Sequence, residues 1–356
     1  MNLIPYYSSS DKSEIYTGGK TQFKNTAFYS LRIAFKSYFN TYHSMMSNLD
    51  FYVDKIEDVS LTDSYYESYI ETIVHFQHFF ELIIKDILER ENPLLAVRAI
   101  DKPVLLHKLI SKEDISDEEY NSLNSLEFSG ALKTLCDLLN SGRIKNPAYQ
   151  VFSSNKGLLD TLNNFRNRIW HRGRFILKYH ALDEFICKHV IPLVLDIVEI
   201  NEYKQFKPLW SYKSENILKV NILLDLINEH KKQVPDHSKV ALLKEMGRVQ
   251  YYQNLLFLKK GEEEINIIRE LEEKNNFISE ALQCPVCGNM SLLNYHDVEV
   301  SNEEMGDEMT QNFSAFQVVE IVESQVHCVI CKFEVNRFVE NPSDYGYGDL
   351  RFWNID

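Results

Sequence analysis

The sequence predicts a mainly α-helical protein that ends in a small β-rich domain. Three observations carry this. Tyr69, Ile73, Phe76, Phe80, Ile83 and Ile87 step by four and three, one apolar stripe over about five helical turns. Only 12 Gly and 9 Pro occur in 356 residues, too few for a turn-rich all-β protein. After residue 281 the pattern changes to Val-, Ile- and Phe-rich stretches around two cysteine pairs.

In chain order, residues 1–58 form an N-terminal extension that is polar and rich in Tyr and Phe, with a few short apolar patches. Its Thr17-Gly18-Gly19-Lys20-Thr21 looks like the tail of a phosphate-binding loop. That loop needs a glycine where the chain has Glu14, and no strand precedes it, so the match is dismissed. Residues 59–200 read as a helical domain. Thr62-Asp63-Ser64 offers N-caps to the striped helix and Asn92-Pro93 stops it. Further helices are expected from Ile115 to Leu126, Gly130 to Leu139, Leu158 to Arg172 and Asp183 to Glu199. Residues 201–281 form a more highly charged helical connector, whose last helix opens at Gly261-Glu262-Glu263-Glu264. Residues 282–356 form the β-rich domain, with strands at Phe316 to Val322 and Phe333 to Phe338. No internal repeat is visible.

Charge and hydropathy narrow the function classes. A net charge of −14 argues against a general nucleic-acid coat and against an anionic membrane surface. The apolar run from Ile191 to Ile200 is short and holds Asp196 and Glu199, so no bilayer span is expected. The first residues lack a basic segment followed by an apolar one, which points to a cytoplasmic protein.

The most informative helix runs from Leu158 to Arg172. Leu158, Leu162, Phe165 and Ile169 are spaced as its buried stripe. At about 100° per residue, Asn167 and His171 lie one turn apart on nearly the opposite face, in line with Asp160 and Asn163. Arg166 sits roughly 140° round from His171, within reach through its long side chain. Arg143, Lys145, Lys156, Arg166, Arg168, Arg172, Arg174 and Lys178 face a single acid, Asp160, across this window. A positive island beside a histidine inside an acidic protein suits a phosphodiester substrate. Arg168, Arg172, Arg174 and Trp170 are the expected substrate-binding set, and Gly173 should end the helix just past His171.

Arg166-Asn167-Arg168-Ile169-Trp170-His171 resembles the R-(polar)-x3-H form of the R-x4–6-H motif of the HEPN superfamily. The stretch from Phe76 to Lys85, followed by Asn92-Pro93-Leu94-Leu95, is similar to the first helix of such domains, and the resemblance covers about residues 60–200. It implies a HEPN-like helical bundle with metal-independent endoribonuclease activity. In that chemistry the ribose 2′-OH attacks the adjacent phosphate and leaves a 2′,3′-cyclic phosphate and a free 5′-OH. His171 would act as general acid/base, Arg166 would bind the phosphate, and Asn167 would orient either. The family usually joins two motif helices in a homodimer, which makes Trp170 a candidate anchor. RNA, tRNA included, would be the substrate, and a conditional toxin or anti-phage effector the role, with a protein regulator or trigger as partner. Gly173 stands where one toxin subgroup has a modifiable Tyr, so that regulation is not implied. Glu81 and Lys85 resemble an accessory polar pair of some members, although an ordinary i,i+4 ion pair explains them first. A non-catalytic HEPN module that binds RNA or protein is the alternative, and a sensor that docks an acidic protein a further one.

The second constellation is Cys284-Pro285-Val286-Cys287-Gly288 with Cys328-Val329-Ile330-Cys331. CxxC-x40-CxxC offers four sulfurs for a closed tetrahedral structural Zn2+ site and resembles a zinc ribbon, with a redox dithiol as the alternative. His296 and His327 are substitute ligands. Lys332 stands where the first knuckle has Gly288, so the second turn is expected to be less regular. The lone Cys136 and Cys187 read as small buried hydrophobes. No Lys or Arg occurs from Asn275 through Cys331, whereas Glu280, Asp297, Glu299, Glu303, Glu304, Asp307, Glu308, Glu320 and Glu323 do. Such a surface repels a phosphate backbone and predicts a structural or protein-contact module, one that masks the basic island or reads a basic trigger.

Overall fold

The computed structural model describes residues 22–50, 60–111, 113–116, 119, 122–172, 177–212, 215–252, 281–307 and 312–353. Its helices are α1 (Gln22–His43), α2 (Met46–Asp50), α3 (Asp63–Glu91), α4 (Pro103–Ile110), α5 (Phe128–Asn140), α6 (Gln150–Ser154) and α7 (Lys156–Arg172). They continue as α8 (Tyr179–Phe185), α9 (Ile191–Val198), α10 (Lys207–Trp210), α11 (Ile222–His230) and α12 (His237–Tyr252). The strands are β1 (Val97–Arg98), β2 (Asn124–Ser125), β3 (Leu282–Gln283), β4 (Met290–Asp307), β5 (Asn312–Cys328) and β6 (Glu334–Asn336). The expected class holds at this level: mainly helical, with a small antiparallel sheet near the C-terminus. None of the described helices is long and apolar enough to cross a membrane.

The chain folds as two compact units, residues 1–31 with 75–164 and residues 32–74 with 165–356, so the division falls inside α1, α3 and α7. In the first unit the stripe residues Phe76, Phe80, Ile83 and Ile87 are buried, as are Ala131, Leu132, Leu135 and Leu139 of α5 and Phe152 of α6. Phe28 of α1 meets Phe79 edge-on with centroids 5.8 Å apart, and Ser30 Oγ lies 2.8 Å from His78 Nδ1. Thus the segment read as an extension contains a core helix. Tyr, Ser and Thr dilute its apolar stripe, yet Ala27, Phe28, Leu31, Ala34, Phe35, Tyr38, Phe39 and Tyr42 are all fully buried.

Of the helix expected from Ile115 to Leu126, Glu119 is helical among the described residues, but the helix does not reach Leu126. Ser116 and Glu119 form a reciprocal capping box, with Ser116 N donating to Glu119 Oε2 and Glu119 N to Ser116 Oγ. Ser122 Oγ then donates to the Glu119 carbonyl at 2.6 Å, competing with helix continuation. Asn124 and Ser125 pair instead with Arg98 and Val97.

In the second unit α8 and α9 are joined through a π-turn, Ile186–Val190, where Ile191 N reaches the Ile186 carbonyl. Pro192 follows and has no amide to donate, so a widened turn at this point is understandable. Phe35 and Phe39 of α1 pack on Tyr251 of α12 with centroids 5.7 and 5.4 Å apart. Gly247 permits that approach, since a Cβ there would lie 2.5 Å from the Phe39 ring. Lys244 and Asp183 form an ion pair at 2.6 Å with both side chains fully buried. The ammonium sits 4.1 Å from the Tyr179 ring centroid and 5.0 Å from that of Tyr38. Burial lowers the Lys244 pKa and Asp183 opposes that shift. Cys136 and Cys187 are buried as expected, Cys187 Sγ lying 2.9 Å from Tyr38 Oη.

The sheet runs β3-β4-β5-β6, all antiparallel. The expected strands at Phe316 to Val322 and Phe333 to Phe338 fall within or around β5 and β6, while β4 occupies an acidic stretch without an expected strand. This sheet is joined to the helices of its own unit. Asn336 Nδ2 donates to the Met46 carbonyl, Asn336 Oδ1 accepts from Tyr42 Oη, and Tyr347 Oη donates to Asp225. Residues 253–280, including the helix expected to open at Gly261, lie outside the described residues.

Candidate functional site

Two groups of side chains are the candidates for chemistry. The first is the cysteine cluster. Each CxxC pair is the turn of a β-hairpin: the first links β3 to β4 and the second β5 to β6. The 40 residues between them, as the sequence spaces them, are taken up by the long β4–β5 hairpin. Its register puts Leu292 opposite Cys328 and returns the second knuckle to the first. All four sulfurs then lie within 4.8 Å of one another, with 3.5 Å between Cys284 and Cys331 and 3.7 Å between Cys287 and Cys328. A tetrahedron with metal–thiolate bonds of about 2.3 Å has edges of about 3.8 Å, so the donor set fits a metal ion.

The two knuckles repeat one hydrogen-bond pattern. Cys284 N donates to the Asn289 carbonyl and Gly288 N to the Cys284 carbonyl; Cys328 N donates to Phe333 and Lys332 N to Cys328 in the same way. Gly288 has φ +75° and Lys332 φ +63°. The expectation that Lys332 makes the second turn less regular is therefore corrected: the lysine adopts the left-handed conformation its position demands, at the strain cost of a residue with a Cβ. At Gly288 a Cβ would also lie 2.6 Å from Ile217.

Several groups approach the sulfurs. Val286 N and Cys331 N donate to Cys284 and Cys328 at 3.5 and 3.4 Å. Asn289 Nδ2 donates to Cys287 at 3.4 Å, and Ser291 Oγ lies 3.2 Å from Cys328. Hydrogen bonding from Cys284 holds the Cys287 thiol down at about 7 and Cys328 lower still, whereas burial pushes Cys284 up. The thiolate is the ligating form. His296 and His327 are not among the clustered ligands; His327 Nδ1 lies 3.3 Å from Glu334 Oε2 instead. Sequence reading missed Asn289, Ser291, and Glu245 and Arg248 of α12. Only for the last pair was there a local signal, two charges following the apolar run from Val240 to Leu243.

The second group lies on α7. The helix covers the expected span, but its buried arc is rotated toward Arg166. Leu159 and Leu162 are fully buried, while Leu158, Phe165 and Ile169 are half-buried. Asn163, expected in line with His171 on the polar face, is buried and donates to Ser129 Oγ at 3.1 Å. Phe165 meets Phe185 edge-on at 5.1 Å. Arg166 is half-buried; its Nη1 donates to Asn167 Oδ1 at 2.9 Å, and its buried Nε has no partner among the described residues. One turn beyond Asn167, His171 is exposed beside Trp170, which is 59% exposed, and Arg168 is exposed as well. Arg166 and Asn167 are thus brought together at one end of the helix. The Arg172 side chain is not described, and Arg174 lies outside the described residues. Lys156 is paired with Asp160 at 2.8 Å.

Glu81 and Lys85 lie on α3 in the first unit and form an i,i+4 ion pair at 2.6 Å, with Gln77 Nε2 donating to the other Glu81 oxygen at 2.9 Å. Burial disfavours the Glu81 charge, yet the bonds from Lys85 and Gln77 prevail and hold its carboxyl below the usual range. No family model, curated protein or solved structure matches this chain.

Proposed function

We propose that this chain is a HEPN-like, metal-independent endoribonuclease, acting as a homodimer in the cytoplasm, with a structural Zn2+ in the four-cysteine centre. The observation that supports it best is the Arg166–Asn167 hydrogen bond one helical turn from an exposed His171, within the basic window. In this reading His171 accepts the 2′-OH proton as the 2′-oxygen bonds to phosphorus. The bond from phosphorus to the 5′-oxygen breaks, and the leaving oxygen takes a proton from the second copy's motif or from water. Arg166 offsets the charge that develops on the phosphoryl oxygens through its guanidinium. Arg168, Arg172, Arg174 and Trp170 bind the flanking RNA, tRNA included. The acidic hairpin is the surface for a protein regulator or trigger, and a toxin or anti-phage role follows by analogy. The half-burial of Arg166 favours one competing reading, a non-catalytic module that binds RNA or protein.

The test compares wild type with His171→Ala on total RNA and tRNA in the presence of chelator, with end-group analysis and a parallel check of folding. Cleavage that leaves cyclic phosphates and falls by about 10²–10⁴-fold in the variant is expected. RNA binding without cleavage by a folded dimer would favour the binding module.

A further inference from the structure

We infer that Arg248 and Glu245 of α12 are outer positioning residues of the four-cysteine centre, clamping its second knuckle in ligating geometry from the helical side. The inference rests on the reading that this centre holds a metal ion. Its starting point is the asymmetry between the knuckles. Both need left-handed backbone four residues after the first cysteine, and Gly288 takes it freely, whereas Lys332 carries a Cβ into it. The strained turn adjoins the ligand Cys331, and α12 grips it at two points. Arg248 Nη2 donates to the Lys332 carbonyl, and Glu334 N donates to Glu245 Oε1 at 2.9 Å.

The grip is itself rigid. Glu245 is fully buried and accepts from Arg248 Nε at 2.7 Å and from Nη2 at 2.5 Å, a two-pronged pair within one helix. A fully buried carboxylate held by an arginine on one side and a backbone amide on the other has no freedom to follow a relaxing knuckle. At the first knuckle Ile217 faces Gly288, whose carbonyl accepts from Gln283 Nε2 at 3.3 Å, a bond local to the knuckle and not one from α12. Metal loading and the docking of β6 onto α12 are therefore one coupled equilibrium. Ligand orientation by such outer groups changes metal affinity by about 10–100-fold.

The test uses the full-length protein and competition for Zn2+ against a chromogenic chelator, with Co2+ spectra to report tetrahedral thiolate coordination. Arg248→Ala is expected to weaken Zn2+ binding by about 10–100-fold. Arg248→Lys, which keeps the charge and loses the fork, should fall between it and wild type. The distinctive arm is Lys332→Gly, which removes the strain: added to Arg248→Ala it should recover most of the lost affinity, an effect with no reason to occur if Arg248 only stabilised the fold. Should Arg248→Ala not fold, Arg248→Lys with and without Lys332→Gly gives the same comparison. Equal affinity in wild type and the Arg248 variant, or a loss that Lys332→Gly does not recover, overturns the clamp. Failure of wild type to bind either ion would overturn the metal centre itself and the clamp with it.

Discussion

Replacing Lys244 by Met removes one half of an ion pair enclosed by the second unit. Lys244 Nζ and Asp183 Oδ1 are 2.6 Å apart, neither side chain is exposed, and Asp183 Oδ2 has no partner among the described residues. Met fills nearly the same space, so packing against Tyr38 and Tyr179 is kept and the main loss is the counter-charge. A buried carboxylate left without its partner costs about 3–5 kcal/mol. At about 2–4 °C per kcal/mol for a unit of this size, the melting temperature should fall by on the order of 10 °C. Thermal melts followed by circular dichroism at neutral pH should show that gap from wild type. Lys244→Met combined with Asp183→Leu should regain most of the loss, because the orphaned charge is gone. A single variant within about 1 kcal/mol of wild type would refute the reasoning.

Gly247→Ala gains about 1 kcal/mol of helix propensity, yet its Cβ would lie 2.5–2.7 Å from three ring atoms of the buried Phe39. Phe39 is hemmed in by Tyr38 and Tyr251 at 5.5 and 5.4 Å, so overpacking should win, with a net loss of about 1–3 kcal/mol that Phe39→Leu relieves. A rise in melting temperature for Gly247→Ala would contradict that close approach. Burial first, and then the neighbouring His237, lower the His180 pKa to about 3. Between about pH 6.5 and 3 the unfolded chain therefore binds more protons, and stability falls as pH falls, by up to about 2 kcal/mol at pH 5. His180→Phe should flatten that acid limb in urea titrations, and an unchanged limb would count against the assignment.

Wherever local pattern decides structure, the residues were legible. The stripe from Tyr69 to Ile87 is buried because a four-three spacing on a helix admits a single apolar face. The four cysteines converge because each CxxC closes a hairpin turn, and antiparallel pairing of β4 with β5 brings the turns together. The α1 helix was illegible because tyrosine, serine and threonine count as polar in a periodicity, although a tyrosine whose hydroxyl finds a partner is a core residue. Tyr42 Oη on Asn336 shows how that happens. The segment from Ile115 to Leu126 has apolar spacing that suits a helix, and the Ser116–Glu119 capping box opens one, but the Ser122 bond to the Glu119 carbonyl and the pairing of Asn124 and Ser125 with Arg98 and Val97 keep it short.

By itself the sequence determined the helical class, the position and residues of the four-cysteine cluster, and the helix that carries Arg166, Asn167 and His171. These are properties of spacing, read within a few turns of chain. Only the tertiary structure decided which charges are buried and what they hold. Lys244 meets Asp183 from 61 positions away, and Arg248 meets the Lys332 carbonyl from 84. The rotation of the buried arc of α7 toward Arg166 is likewise set by what packs around the helix. Burial of a charge depends on partners that folding brings from distant positions, and no local periodicity encodes them.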